Sequence, residues 1–308
     1  MPEPTGVVAV VVTYRPDVAA TTVLLRALAP QVDRVVLVDN GSPPEAVDAL
    51  RAEVASAGGE LLPLGENRGI AAAQNAGLDR ARALGATAVL LSDQDSVPAP
   101  DMVARLLAGL DRARAEHGRV AAVGPVTVDE RNAGAALLFA DTRWGPRRAT
   151  VPAQDGALVP ATFLIASGCL VDVAALDAVG AMNADWFIDH IDLEWGLRAR
   201  RAGYGLYGVV GARLGHALGD RVQRIPGRER DVHIHSAVRN YYMARNTVLL
   251  IRSGLLRPAW RLGYAAWITK YTGFYVLAVA PRAARARLLL RGLADGLRGR
   301  TGPLREDA

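Results

Sequence analysis

The chain has 308 residues, 51% of them hydrophobic, which allows one large α/β domain with an appendage; its lone cysteine, Cys169, excludes an internal disulfide framework or a cysteine-based zinc cluster. The net charge of +5 is uneven: from Arg221 onward 17 Arg and Lys stand against 5 Asp and Glu, a local net of +12, and the first 220 residues carry 19 against 26, or −7. Arg mixed with Trp, Tyr and Leu suits an anionic membrane surface at least as well as nucleic acid, so no nucleic-acid partner is expected.

Val7 to Thr13 reads as a strand buried on both faces, because β-branched residues run without alternation until Tyr14-Arg15-Pro16. The stretch is too short for a signal peptide or a membrane span, and with the single cysteine this gives the expectation of a cytoplasmic protein. A helix from about Ala19 to Leu28 follows, then a strand, Arg34 to Val38, ending in Asp39-Asn40-Gly41-Ser42. A helix around Pro44 to Ala57, a short strand near Leu61, a helix from Ile70 to Leu84 and a strand from Ala88 to Leu91 continue the alternation. This order predicts a Rossmann-like, mostly parallel central sheet flanked by helices, with ligands at the carboxyl ends of the strands, where Thr13, Asp39 and Asp93 fall. Past a helix over Asp101 to Glu116 the pattern is less regular, and a second half of the same domain is placed there.

Three groups of residues carry chemistry. Asp93 and Asp95, at i and i+2 on a turn after an apolar strand, can converge on one hard cation that neutralises a diphosphate; equally, they can cap the next helix. Asp189, Asp192 and Glu194 lie within six residues, beside Trp186, Phe187 and Trp195, and a carboxylate among aromatics favours a raised pKa and a general-base role. The plainer reading is an amphipathic helix capped by Asp192 with Arg198 toward its positive end. His216, between Gly215 and a Gly at 219, would complete an Asp/His coordination sphere or be an ordinary loop residue.

The ordered set Val10-Val11-Val12-Thr13-Tyr14, Val38-Asp39-Asn40-Gly41-Ser42, Glu66-Asn67-Arg68-Gly69-Ile70-Ala71 with Asn75 and Gly77, Asp93-Gln94-Asp95, Ser167-Gly168, and Ile191-Asp192-Leu193-Glu194 with Arg198 resembles the inverting glycosyltransferase family 2, of GT-A fold. The Asp-Gln-Asp-Ser form, Phe187-Ile188-Asp189 and Arg239-Asn240-Tyr241-Tyr242-Met243 resemble bacterial rhamnosyltransferases. The resemblance implies that Asp39 contacts the nucleotide base and that Asn67 to Ala71 hold the nucleoside, with Thr13, Tyr14, Asn75, Asp93 and Gln94 completing the nucleotide-sugar site. It implies a divalent metal, Mg2+ or Mn2+, at Asp95 with Asp93 and His216. Asp192 becomes the catalytic base, supported by Glu194, Asp189 and Arg198, with Gly168, Trp186 and Phe187 on the acceptor side. The acidic residue that usually precedes the base is here Ile191, and its carboxylate is either supplied by Asp189 or absent. Donor and acceptor implied are dTDP-rhamnose and a glycan or lipid-linked hydroxyl.

The catalytic domain is expected over residues 1–246, its nucleotide-sugar half about 1–100 and its acceptor half about 101–246. Residues 247–308 are read as a basic, amphipathic helical appendage, with helices Tyr241 to Arg252, Ala259 to Ala280 and Arg282 to Leu297. Arg261 and Lys270 interrupt the middle helix, so it is expected to lie in a membrane interface with Trp260, Tyr264, Trp267, Tyr271 and Phe274 among lipid, on the inner face of the plasma membrane. The alternative is packing against the sheet or a second subunit, giving a homo-oligomer. Two other functions are weighed: a haloacid-dehalogenase-type phosphatase, which lacks its core lysine because Lys270 is the sole lysine, and a non-enzymatic membrane-binding module, which leaves the polar strand ends unexplained. A nicotinamide oxidoreductase is disfavoured because Val7 to Asp17 contains no glycine.

Overall fold

The computed structural model describes residues 6–126, 128–129, 135–216, 222–223, 232–233 and 235–304. An eight-stranded sheet forms its centre, in the order Leu158–Pro160, Gly205–Val209, β6 (Val120–Pro125), Cys169–Asp172, β4 (Ala88–Asp93), β1 (Val7–Thr13), β2 (Arg34–Asp39) and β3 (Glu60–Pro63). Strands β1 to β4 run parallel, and β6 and Gly205–Val209 share their direction. Cys169–Asp172 is antiparallel to both β4 and β6, and Leu158–Pro160 closes the far edge antiparallel.

Strand β1 has no polar face because both faces are covered. Val7, Ala9 and Val11 pack with Leu24 and Leu28 of α1 (Val18–Leu28), Leu50 of α2 (Pro44–Ser56) and Leu106 of α4 (Met102–His117). Val8, Val10 and Val12 point the other way, into a core shared with Leu78 of α3 (Ile70–Ala83), Leu176 of α5 (Val173–Val179) and Leu193 of α6 (Ile191–Arg201). Register then sets the working edge: Thr13 pairs with Asp39 and Val12 with Asp93, so these strand ends finish together.

The C-terminal helices α7 (Ala237–Arg252), α8 (Pro258–Ala278) and α9 (Arg282–Leu297) are not a detached appendage. Helix α9 lies closely along α7 because Gly292 and Gly296 face it, where a β-carbon would overlap the carbonyl oxygens of Tyr241 and Arg245. The chain then returns to the catalytic half: Gly302 N–H donates to the Asp185 carbonyl (2.7 Å) and Leu304 N–H to the Tyr242 hydroxyl (2.7 Å). Among the described residues no helix is long and apolar enough to cross a membrane.

Candidate active site

The sheet edge where Thr13, Asp39 and Asp93 end is built by turns that follow parallel strands. Thr13 Oγ1 donates to Asp39 Oδ2 (3.1 Å), and Asp39 Oδ1 accepts from the N–H groups of Gly41 (3.1 Å) and Ser42 (2.9 Å). Asp39 is buried, so this carboxylate shapes the β2–α2 turn from within. Gln94 ties the loop after β4 to the loop after β1: its Oε1 accepts from Tyr14 N–H at 2.8 Å. Asn67 Oδ1 accepts from Asn40 Nδ2 (3.1 Å) and Gly69 N–H (3.0 Å), which folds the 67–71 segment against the β2 turn. Asn75 bonds both ways to the Met182 backbone at 2.9 Å, so its amide joins α3 to the loop before Trp186. Ala71, in the first turn of α3, is fully buried.

Asp93 and Asp95 flank the β4 turn. Neither caps α4, whose N-cap is Asp101; Asp93 Oδ2 instead accepts from the Ser167 hydroxyl, and Asp95 is exposed. Two carboxylates are the hard oxygen donors a divalent cation takes. β5 (Ser96–Pro98) pairs antiparallel with Leu214–His216 and places the His216 backbone opposite Ser96, next to Asp95. The side chain of His216 lies outside the described residues, among which no group of three His, Cys, Asp or Glu is set to hold a metal. Asp93 and Asp95 therefore offer the oxygen chemistry a divalent cation takes, and the strand pairing brings the residue 216 backbone opposite Ser96.

Asp192 stands in the first turn of α6 but does not cap it; the N-cap is His190, and Asp192 Oδ2 accepts from Ala166 N–H at 3.2 Å. One short segment therefore touches both carboxylate groups. Ala166 bonds Asp192, Ser167 bonds Asp93 while its Oγ accepts from Ser96 Oγ (3.3 Å), and Gly168 N–H donates to the Leu91 carbonyl (2.9 Å). Burial pushes the Asp192 carboxyl up to about 7; the charges of Asp93 and Asp189 add to this, and the Ala166 N–H opposes it. A base of that strength suits proton transfer at neutral pH.

The loop leading into α6 is strained: Phe187, Asp189 and His190 have φ of +66°, +68° and +62°. Helix α7 holds it there. Asn246 Nδ2 donates to the carbonyls of Trp186 (2.9 Å), Ile188 (2.7 Å) and Asp189 (3.1 Å), and the buried Arg245 donates to Trp186 O (2.9 Å). Phe187 stacks on Tyr242 with centroids 4.9 Å apart, and its carbonyl accepts from Ile70 N–H at 2.8 Å, beside Gly69, where a β-carbon would meet Phe187. Nothing in the periodicity of 186–190 announces this clamp; its partners, Arg245 and Asn246, stand among the other polar residues of α7 without a distinguishing signal.

The other acidic residues here have partners. Asp189 pairs with Arg239 (3.0 Å); burial raises its pKa against the pull of that guanidinium. Glu194 is buried against Arg198 Nε (2.9 Å), and Arg198 also donates to the carbonyls of Val179 (2.8 Å) and Ala181 (2.7 Å). This pair braces α6 against the loop after α5. Trp186 and Trp195 are core residues, Trp195 donating to Gly180 O at 2.9 Å, and neither lines the cavity beside Asp192. Phe187 likewise turns to Tyr242.

The cavity beside Asp192 has other walls. It measures about 470 Å³ and is lined by Phe139, Trp144, Phe163, His190, Tyr264 and Trp267, with Asp192 and Leu193. Its outer wall is a hairpin, Phe139–Thr142 with Gly145–Arg148, and its roof is α8. At Gly263 the helix crosses the hairpin so closely that a β-carbon would overlap the Trp144 carbonyl. Trp260 Nε1 donates to Thr142 O (2.7 Å), and Tyr271 OH accepts from Asn240 Nδ2 (2.7 Å). Of the aromatic stripe expected to lie among lipid, Trp260 is buried, Tyr264 and Trp267 line the cavity with Trp267 still 39% exposed, and Tyr271 is bonded to α7. His190, missed in the sequence, bonds Thr247 Oγ1 through Nε2 (2.8 Å), and burial pushes it down to about 4, leaving it neutral at pH 7.

The model of the family described as "Glycosyl transferase family 2" matches residues 8–180, more than half of the chain. The chain belongs to this family. That membership removes the phosphatase and the non-enzymatic readings, and makes the protein a glycosyltransferase. It is 29% identical over 303 residues to the dTDP-rhamnosyl transferase RfbF of Shigella flexneri, covering 98% of this chain and 99% of that protein. Among solved structures it is similar to the mannosyltransferase PcManGT from Pyrobaculum calidifontis in complex with GDP-Man and Mn2+ (TM-score 0.54, 18% identity, 96% of this chain and 76% of that one). It is also similar to S. aureus TarS 1-349 in complex with UDP-GlcNAc (TM-score 0.54, 17% identity, 95% and 80%). The mostly parallel sheet with flanking helices is the fold these proteins share.

Proposed function

We propose that this transferase moves rhamnose from dTDP-rhamnose to a hydroxyl of a glycan acceptor, with inversion at the anomeric carbon and Asp192 as general base. Near full-length similarity to a dTDP-rhamnosyl transferase supports the donor. The observation that carries the reaction is Asp192 itself, poised near neutrality in the cavity wall and linked through Ala166 and Ser167 to Asp93 on the donor edge.

The nucleoside lies against the Asp39 turn and the 67–71 segment. Asp95, with Asp93 and His216, would hold a divalent ion, Mg2+ or Mn2+, which when bound neutralises the donor diphosphate. The acceptor sugar enters the aromatic cavity, and its hydroxyl donates a hydrogen bond to Asp192. As that oxygen attacks the anomeric carbon, its proton passes to Asp192, and the sugar–phosphate bond breaks on the opposite face. A single displacement needs no carboxylate nucleophile, which agrees with the pairing of Asp189 and Glu194 to arginines. His190, neutral and held by Thr247, keeps a positive charge away from the base.

Thermal shift with dTDP-rhamnose and with UDP- and GDP-sugars, with and without Mn2+, tests the donor. Stabilisation by dTDP-rhamnose above the others is expected; stabilisation by none of them removes the reading.

A further inference from the structure

The cavity beside Asp192 does not end at its aromatic walls. Trp144, Arg147, Gly263 and Trp267 also line a second depression of about 570 Å³, which continues outward over Leu262, Ala266 and Lys270. No carboxylate lines it. Its two cations, Arg147 and Lys270, approach from different elements, the hairpin and α8, and both are exposed.

Neither has an ion pair or a hydrogen bond among the described residues, whereas neighbouring arginines are committed: Arg200 and Arg257 to Asp141, Arg239 to Asp189. Arg143 lies over the Trp144 ring, 5.1 Å from its centroid. The surroundings are therefore two ring faces flanked by positive charge with no internal counter-ion, although acidic residues are plentiful elsewhere in this half.

Resting on the glycosyltransferase reading, we propose that the acceptor is an anionic oligosaccharide: its terminal sugar occupies the aromatic cavity at Asp192, and a phosphodiester or carboxylate on the adjoining unit is held between Arg147 and Lys270. Ring faces take the apolar C–H face of a sugar without fixing its hydroxyls. Two cations placed beyond them add a charge requirement that the cavity alone lacks, and they also draw the acceptor toward the mouth. Trp144 and Trp267, shared by both depressions, set the spacing between the sugar and its charge.

Calorimetric titration of the full chain with three probes tests this: methyl maltoside, maltosyl methyl phosphate, and the disaccharide carrying a terminal uronate. At low salt one or both charged probes are expected to bind about tenfold tighter than the neutral one, and the tighter of the two names the charged group. In Arg147→Ala/Lys270→Ala the ratio of charged to neutral affinity falls to within about twofold; because Arg147 also lines the aromatic cavity, the ratio is the readout and not the neutral affinity itself. Trp267→Ala weakens all probes by one factor. Equal affinity for charged and neutral probes, an unchanged ratio in the double variant, or saturation by none of the probes overturns the proposal. So does inorganic phosphate competing as well as the phosphodiester, or sedimentation with phosphatidylglycerol vesicles that needs the same two residues, since either assigns the charge to something other than an acceptor. Stabilisation by dTDP-rhamnose is unaffected by these variants; its absence in the wild type would defeat the donor reading instead.

Discussion

The two halves of the active site are made in different ways. On the donor side Thr13, Asp39 and Asp93 sit at the ends of parallel strands, and register alone brings them to one edge. On the acceptor side nothing is contiguous: Asp192 comes from α6, its hydrogen-bond partner from the 166–168 segment, the wall from a hairpin and the roof from a C-terminal helix. The first half is positioned by the sheet. The second is positioned by packing, and its most strained part, residues 187 to 190, is kept in place by side chains of α7. Substitutions should therefore separate donor binding from turnover according to the half they touch.

Asp192→Asn should have the largest effect. Removing the base is expected to lower kcat by about 10³-fold while dTDP-rhamnose still stabilises the protein, because no donor-edge contact is changed. Loss of donor binding in that variant would mean the halves are not separable. In the wild type, kcat/KM should fall tenfold per pH unit below about 7, where Asp192 takes up its proton.

Asn246→Ala comes next. Its amide bonds three loop carbonyls; that of Trp186 keeps Arg245 as a donor, and those of Ile188 and Asp189 lose this bond, each carbonyl left unpaired costing about 1–3 kcal/mol. The strained loop is expected to relax, lowering kcat about 100-fold, the scale set by a small misplacement of a reacting group. Asn246→Gln, which keeps the amide, should recover part of the loss. Equal loss in both variants, accompanied by a drop in Tm, would make the residue a folding element only.

The same contrast explains what could be read from sequence. Alternating strands and helices with polar residues at strand ends are local patterns, so β1 to β4, α1 to α4 and the Asp93–Asp95 turn were legible, with boundaries within a few residues. That one carboxylate of the 189–194 group would be buried with a raised pKa was legible from its aromatic neighbours, but not that Asp189 and Glu194 would pair with arginines. The partners were not. Pairing of Glu194 with Arg198 could be suspected from i,i+4 spacing, but Asn75 with Met182 spans 107 residues and Asn246 with Ile188 spans 58, and no window contains either. The aromatic stripe of α8 looked the same whether lipid or protein was to cover it. Gly263, which lets α8 close over Trp144, brings part of that stripe against protein through a contact between two distant segments.

Gly263→Ala is the corresponding smaller perturbation. A methyl group at the crossing pushes α8 off the hairpin, so acceptor KM is expected to rise about fivefold with kcat and donor KM unchanged, a loss of binding felt equally in ground and transition states. A matching fall in kcat would show that the roof also positions the base.

The smallest effect has the most distinctive sign. Burial raises the folded-state pKa of Asp192 from the unfolded value near 3.8 to about 7, so its charge opposes folding. Below about pH 4 both states carry the proton and the group contributes nothing. Between about pH 4 and 7 the unfolded chain releases its proton while the folded one keeps it, and stability falls as pH rises; above about pH 7 both are ionised and the full penalty stands. Asparagine carries no such charge. Asp192→Asn should therefore raise Tm by about 3 °C or more at pH 8 and leave it unchanged at pH 4, although the enzyme is inactive at both. An equal Tm for wild type and variant at both pH values would mean that Asp192 is not held in an environment that disfavours its charge, and the cavity wall would then lack the base that its geometry implies.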